Sequence, residues 1–329
     1  MFGIYRLVLA LFVLISHTKG PLWIGHYAVF NFYALSGFLM TLILRENYGY
    51  HKSGGIAYLK NRWLRIFPSY YISLALTIII ACIAMLMNEE LKLLPMKTLD
   101  WFVNFSIVGL THEKVRIIGP SWSLHVEIIY YLLIPFLTRK NKHVFIWLFL
   151  SIAYTLWIWA SDIAFQDRYF GVLSASLPFS MGAFLYCVTR KVKINNMCFL
   201  LGALSIWSCN IISNKFIFSY AFVDSFNFYL NTLLGVLLIF ALYHFKTNET
   251  FANFDKICGD YCYPVFLLHS SIIMVGIYIF NLEIYSYGLM IFSLICTFPL
   301  SFLSINFIEK KINRKRLKIR AQQLDGLNR

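Results

Sequence analysis

Apolar residues in this chain come in long unbroken runs, not at the two-residue or 3.6-residue spacing of half-buried strands and helices. Ten runs stand out, at residues 2–18, 28–44, 69–87, 122–137, 144–160, 171–189, 198–212, 228–245, 263–281 and 285–308. Each has roughly the length needed to cross a hydrocarbon layer as a helix. The expected fold is an all-α polytopic transmembrane bundle of about ten spans. Lys19, Gly20 and Pro21 break the first run, and Pro68 is placed to start the third, where proline is tolerated. Pro264 and Pro299 fall inside apolar runs and are expected to kink or start their helices. The longest connection, 88–121, contains the apolar stretches 91–95 and 101–110. Either lies along the membrane interface or re-enters, so the count carries a tolerance of one span.

Composition agrees with the pattern: 59% of the 329 residues are hydrophobic and 13% charged, far from the mix of a soluble domain. A net charge of +14 invites a nucleic-acid partner, but its distribution argues for topology instead. With a cytoplasmic N-terminus, 22 of the 29 lysines and arginines fall inside: Arg6, the group from Arg45 to Arg65, Arg139 to Lys142, Arg190 to Lys193, Lys246, Lys256 and eight after Glu309. That bias places both termini in the cytoplasm and leaves no reason to invoke nucleic acid. No small-residue cleavage site closes the first run, so a cleavable signal peptide is not expected. Residues 1–308 form the expected membrane domain and 309–329 a basic cytoplasmic tail, either lying on the anionic inner surface or solvated. The seven cysteines include no CxxC pair, and Cys258 and Cys262 lack the second pair that would suggest zinc. They read as packing residues, and no metal is expected.

Ionisable groups inside apolar runs are costly and mark candidate chemistry. Arg6 and His17 share the first run, eleven residues and about 16 Å of helix apart. Singly they read as a juxtamembrane anchor and a satisfied interior histidine; together they suit a long ligand with a charged end and a reactive end. Arg62 and Arg65 are three apart, share a helical face, and carry guanidinium groups suited to phosphate oxygens. Positive-inside bias alone accounts for basic residues there, though not for an ordered cluster before Pro68. Glu127 enters the fourth run two residues after His125, and is either an orienter or charge partner for an imidazole or a helix-entry carboxylate. His269 is a third imidazole deep in apolar sequence, after Tyr261 and Tyr263.

These residues fall in stretches that resemble, in order and over nearly the whole chain, the acyltransferase-3 family of integral membrane proteins. Arg6 and His17 are similar to its Arg-x10-His signature. Leu35-Ser36-Gly37-Phe38-Leu39 resembles the end of its second-span signature, and Arg62-Trp63-Leu64-Arg65-Ile66-Phe67-Pro68 its Arg-x-x-Arg-Ile-x-Pro motif. Trp122-Ser123-Leu124-His125-Val126-Glu127 is similar to Trp-Ser-Leu-Ser-Val-Glu, and Tyr263 through His269 to the late Tyr-Ser-Leu-Tyr-Leu-x-His signature. The departures are His125 for a common serine, Ile128 for a frequent second acid, Pro264 for a small polar residue and Asn61 for a further arginine. They bear on acceptor chemistry more than on the donor site. The esterase-like domain fused to some relatives is absent from this sequence.

The resemblance implies O-acylation in the bacterial cytoplasmic membrane: an acyl group, most often acetyl, moves from acyl-coenzyme A to a hydroxyl of a surface or lipid-linked glycan such as O-antigen, lipopolysaccharide or exopolysaccharide. Acetyl-CoA is then the donor, membrane lipid the surroundings and glycan the acceptor. Arg6, Arg62 and Arg65 become the donor-phosphate ligands, and His17, Glu127 and His269 the catalytic set. His17 is either a general base or a transient acyl carrier. A transporter or flippase for a glycan or lipid intermediate explains the spans and the buried polar groups, but not an arginine pair set opposite the Arg6–His17 helix. An assembly subunit would tolerate loss of both His17 and Glu127.

Overall fold

The computed structural model describes residues 1–192, 197–216 and 225–327; Lys193 and Arg329, counted above among the cytoplasmic charges, lie outside them. It is 80% helical, with no strand among the described residues. The helices are α1 (Gly3–Ser16), α2 (Leu22–Ile43), α3 (Lys52–Met87), α4 (Thr98–Ser106), α5 (Ser121–Leu137), α6 (Asn141–Ala160) and α7 (Phe165–Phe170). The second half adds α8 (Ser176–Thr189), α9 (Met197–Phe216), α10 (Phe226–His244), α11 (Glu249–Met274), α12 (Tyr287–Ser304) and α13 (Lys310–Leu327). Each of the ten apolar runs corresponds to one of these helices. Among the described residues seven helices are long and apolar enough to cross a membrane, while α1, α5 and α8 are shorter apolar helices. In lipid only such internally hydrogen-bonded segments satisfy the backbone.

Pro68 does not open the third span. It lies inside α3, a continuous 36-residue helix that carries Arg62 and Arg65 together with the apolar run. The proline forgoes one backbone bond to the preceding turn, and the helix continues because both flanks are good helical sequence packed on neighbours. Pro264 and Pro299 are likewise interior, to α11 and α12. Of the two apolar stretches in the 88–121 connection, the second contributes to α4. The expected boundary at residue 309 falls within an unbroken helical path, since α12 passes through a wider π turn, Ile305–Glu309, directly into α13.

The centre of the bundle is α1 and α2, wrapped by α8, α10 and α11. Helices α6, α9 and α12 turn large apolar side chains outward, among them Phe149, Ile206 and Ile295, as a lipid-facing ring requires. Apolar burial adds little between helices in lipid, so close packing and polar links set their positions. Gly37 and Gly182 provide the close packing where α2 crosses α8: a Cβ at Gly37 would stand 2.1 Å from the Phe179 carbonyl oxygen, and one at Gly182 would stand 1.9 Å from that of Ala34. The polar link is a buried amide ladder. Tyr5 Oη donates to Asn31 Oδ1 (2.9 Å), Asn31 Nδ2 to Asn231 Oδ1 (2.9 Å), and Asn231 Nδ2 to Asn210 Oδ1 (2.7 Å). It ties α1 to α2, α10 and α9, one residue from Arg6. The first turn of α1 is held from α11, whose Asp255 carboxylate accepts the Gly3 and Ile4 amides at 3.1 and 3.0 Å. An acid there satisfies orphan donors and complements the helix dipole.

Candidate active site

A cavity of about 590 Å³ opens among α1, α2, α3, α5, α11 and α13, within the range of small-molecule sites. Arg6, Arg62 and Arg65 all line it, with Glu127, Tyr131, Cys262 and Tyr263. The helical reading of Arg62 and Arg65 as one face holds, and that face meets the start of α1. Aromatic rings position the guanidinium groups: Arg62 lies over Tyr58 (5.9 Å) and Tyr131 (5.7 Å), and Arg65 over Tyr263 (5.0 Å). Arg6 sits beside the Cys262 thiol. Among the described residues the one ion pair within 4.0 Å joins the N-terminal amine to Asp255, so no carboxylate closes on Arg6, Arg62 or Arg65. Three partly buried guanidinium groups without ion-pair partners make a site for an anion.

Glu127 shares this cavity. Its Oε1 accepts from Ser36 Oγ and from Tyr131 Oη, both at 2.8 Å. The serine of the second-span signature therefore holds the glutamate of the fourth-span signature, while the adjacent Gly37 makes room for α8. No hydrogen bond joins Glu127 to an imidazole among the described residues. His125, two residues earlier, points elsewhere: its Nδ1 accepts the Gly109 amide (3.1 Å) and pins the connection before α5.

His17 and His269 meet at the other end of α1. His17 Nδ1 lies 3.0 Å from His269 Nε2, with the rings stacked at 5.3 Å and 23°. His269 Nδ1 is 3.1 Å from the Val265 carbonyl oxygen. A carbonyl only accepts, so His269 carries its proton on Nδ1 and its Nε2 is an acceptor. His17 must then donate from Nδ1, which leaves its own Nε2 with a free lone pair. This tautomer assignment follows from the hydrogen-bond network, and it is the arrangement that a base or nucleophile oriented by a second group requires. His269 is fully buried whereas His17 is exposed. Arg116 and His26 lie within electrostatic reach of His17, a polar setting unlike a lipid-facing one.

The cavity does not include the imidazole pair. Val29, Phe32 and Phe266 are among its lining residues. Phe32 and Phe266 meet edge to face at 6.2 Å, and Phe266 lies 6.3 Å from the His269 ring. The six residues singled out from sequence therefore fall into two groups: Arg6, Arg62, Arg65 and Glu127 line the cavity and His17 and His269 do not, with a phenyl wall of Phe32 and Phe266 linking the cavity lining to the His269 ring.

Several residues of the site escaped the sequence reading. Ser36 lay inside a quoted motif without a role of its own. Glu309 is buried at the π turn, accepts from Ser69 Oγ at 2.5 Å, and lies within electrostatic reach of Arg65. It could have been flagged as the single acid at the end of the last apolar run.

A family model described as an acyltransferase domain, that of the acyltransferase-3 proteins, matches residues 4–305. The chain belongs to the acyltransferase-3 family. It is accordingly a multi-pass membrane acyltransferase, and the matched region includes all six singled-out residues. No curated protein and no solved structure matches the chain. Helix α1 carries Arg6 of the cavity and ends at His17 of the imidazole pair.

Proposed function

We propose that this acyltransferase moves an acyl group, acetyl in the simplest case, from cytoplasmic acyl-coenzyme A to a hydroxyl of a lipid-linked or cell-surface glycan at a bacterial inner membrane. The carrying observation is that one short helix, α1, carries Arg6 of the cation-lined cavity and ends at His17, which is oriented by His269. Coenzyme A has phosphates at one end and a thioester at the other. Arg6, Arg62 and Arg65 bind the phosphates, and the thioester arm extends along α1 toward His17, over the roughly 16 Å between its two functional residues. On that path it displaces or threads past Phe32 and Phe266.

At His17, Nε2 is the reacting atom and His269 fixes the tautomer. In the base route Nε2 takes the proton of the acceptor hydroxyl as its oxygen attacks the thioester carbonyl, and the thiolate of coenzyme A departs to be protonated. In the carrier route Nε2 attacks first, the thiolate leaves, and an acyl-imidazole is resolved by the acceptor. The exposure of His17, at the other end of α1 from Arg6, supports acceptor entry at that end in either route. Glu127 belongs with donor binding: its charge and its bonds to Ser36 and Tyr131 orient the cavity wall that meets the arginines.

Membranes containing the protein, incubated with radiolabelled acetyl-coenzyme A, should transfer label to polysaccharide or lipid. Glycan translocation without a labelled product would identify a transporter instead.

A further inference from the structure

The basic helix α13 begins beyond the stretch that the family model matches, yet it forms a wall of the arginine cavity. Asn313, Arg316 and Arg320 line it, at the i, i+3, i+7 spacing of one helical face. The seating on α3 is specific. Buried Asn61 donates from Nδ2 to the Arg316 carbonyl (3.0 Å), and its Oδ1 accepts both Arg316 Nε (3.1 Å) and Arg62 Nη2 (3.2 Å). Arg316 Nη1 also bonds Asn313 Oδ1 at 2.8 Å. One amide oxygen therefore holds two guanidinium groups side by side, with no carboxylate at ion-pair distance from either among the described residues. Like charges so placed repel unless an anion joins them.

The cavity cations divide between its walls: partly buried Arg6 lies on α1, the helix that leads to His17, whereas partly buried Arg316 and exposed Arg320 lie on α13. Coenzyme A divides in the same way, with a diphosphate nearer the thioester arm and a ribose 3′-phosphate at the far, nucleotide end. A monoester phosphate carries about −1.5 to −2 charge and three acceptor oxygens. We propose that Arg316, assisted by Arg320 and fixed by Asn61, binds the 3′-phosphate of the donor nucleotide, leaving Arg6, Arg62 and Arg65 to the diphosphate. This assignment rests on the acyl-coenzyme A reading above. The C-terminal helix is then part of the donor site and a determinant of its specificity.

The test is calorimetric binding of coenzyme A and of 3′-dephospho-coenzyme A to the full-length protein in lipid nanodiscs. The unsubstituted protein should bind coenzyme A about tenfold or more tightly than the dephospho form. Arg316→Gln should bind both alike, at the affinity the unsubstituted protein shows for the dephospho form; that retained binding also reports an intact fold. Arg314→Gln removes the same charge from a residue outside the cavity lining and should keep the discrimination. Equal binding of the two ligands by the unsubstituted protein, or discrimination that survives Arg316→Gln, overturns the assignment while leaving the donor reading standing. Binding of neither ligand overturns the donor reading and the assignment with it.

Discussion

Nδ1 of His17 and Nε2 of His269 stand 3.0 Å apart, and the Val265 carbonyl behind His269 sets the direction of the proton in that bond. The consequence is a free Nε2 lone pair on the more exposed of the two rings. The pair is a unit in one direction: the Val265 carbonyl sets the tautomer of His269, and His269 in turn sets that of His17.

If His269 positions His17, His269→Ala should lower turnover by about 10²-fold or more, with donor affinity held within twofold. The pH profile of turnover should change shape, since His17 would no longer be confined to one tautomer. The double variant with His17→Ala should be no slower than His17→Ala alone. Steady-state kinetics in nanodiscs across pH would show this; additive losses would separate the two residues.

Arg65 faces the cavity from α3 with its guanidinium over Tyr263. Arg65→Gln should weaken donor binding by about tenfold, the loss of one charge-assisted phosphate contact, and affect turnover at saturating donor far less. Unchanged donor affinity in a binding titration would remove Arg65 from the site.

Glu127 bonds Ser36 and Tyr131 in the wall of the arginine cavity. Glu127→Gln should therefore alter donor KM and leave the pH profile of turnover in place. A displaced profile would tie the carboxylate to the imidazole pair.

Phe32 lines the cavity against Phe266. Truncation to alanine should widen the cavity there and raise the rate with a butyryl donor relative to acetyl by about tenfold, the scale on which a methylene or two is discriminated in an apolar pocket. An unchanged ratio would place the acyl path elsewhere.

A side chain at Gly37 would run into the Phe179 carbonyl. Gly37→Val should destabilise the bundle by about 3 kcal/mol or more, seen as a lower melting midpoint and reduced abundance in membranes, while Gly288→Ala, whose added Cβ would meet only Ser286 Oγ at an ordinary 3.7 Å, should be neutral.

Much of this architecture was legible in the sequence, and the reason differs from element to element. The apolar runs were visible because a helix in lipid must be apolar along its length, so all ten appear as helices. Arg62 and Arg65 were readable as a face because helical spacing is local. The Pro68 boundary was misplaced because the rule that proline starts helices describes a preference, and packing of α3 on α11 and α13 overrides it. The pairing of His17 with His269 spans 252 residues of sequence, and no periodicity encodes such a contact. Glu127 fell with the arginines because Ser36 of α2 and Tyr131 one turn along α5 hold its carboxylate in the cavity wall, and the Ser36 contact spans 91 residues that no periodicity encodes. From its charge the tail is expected either on the anionic inner surface or in solvent. Its Asn61-facing side shows only when α3 is in place.

The central claim is most directly tested by His17→Ala, assayed for transfer of radiolabelled acetyl from acetyl-coenzyme A alongside calorimetric donor binding in the same preparation. The account predicts that transfer falls to background while donor affinity and membrane abundance stay at the level of the unsubstituted protein. Normal turnover by that variant would contradict it.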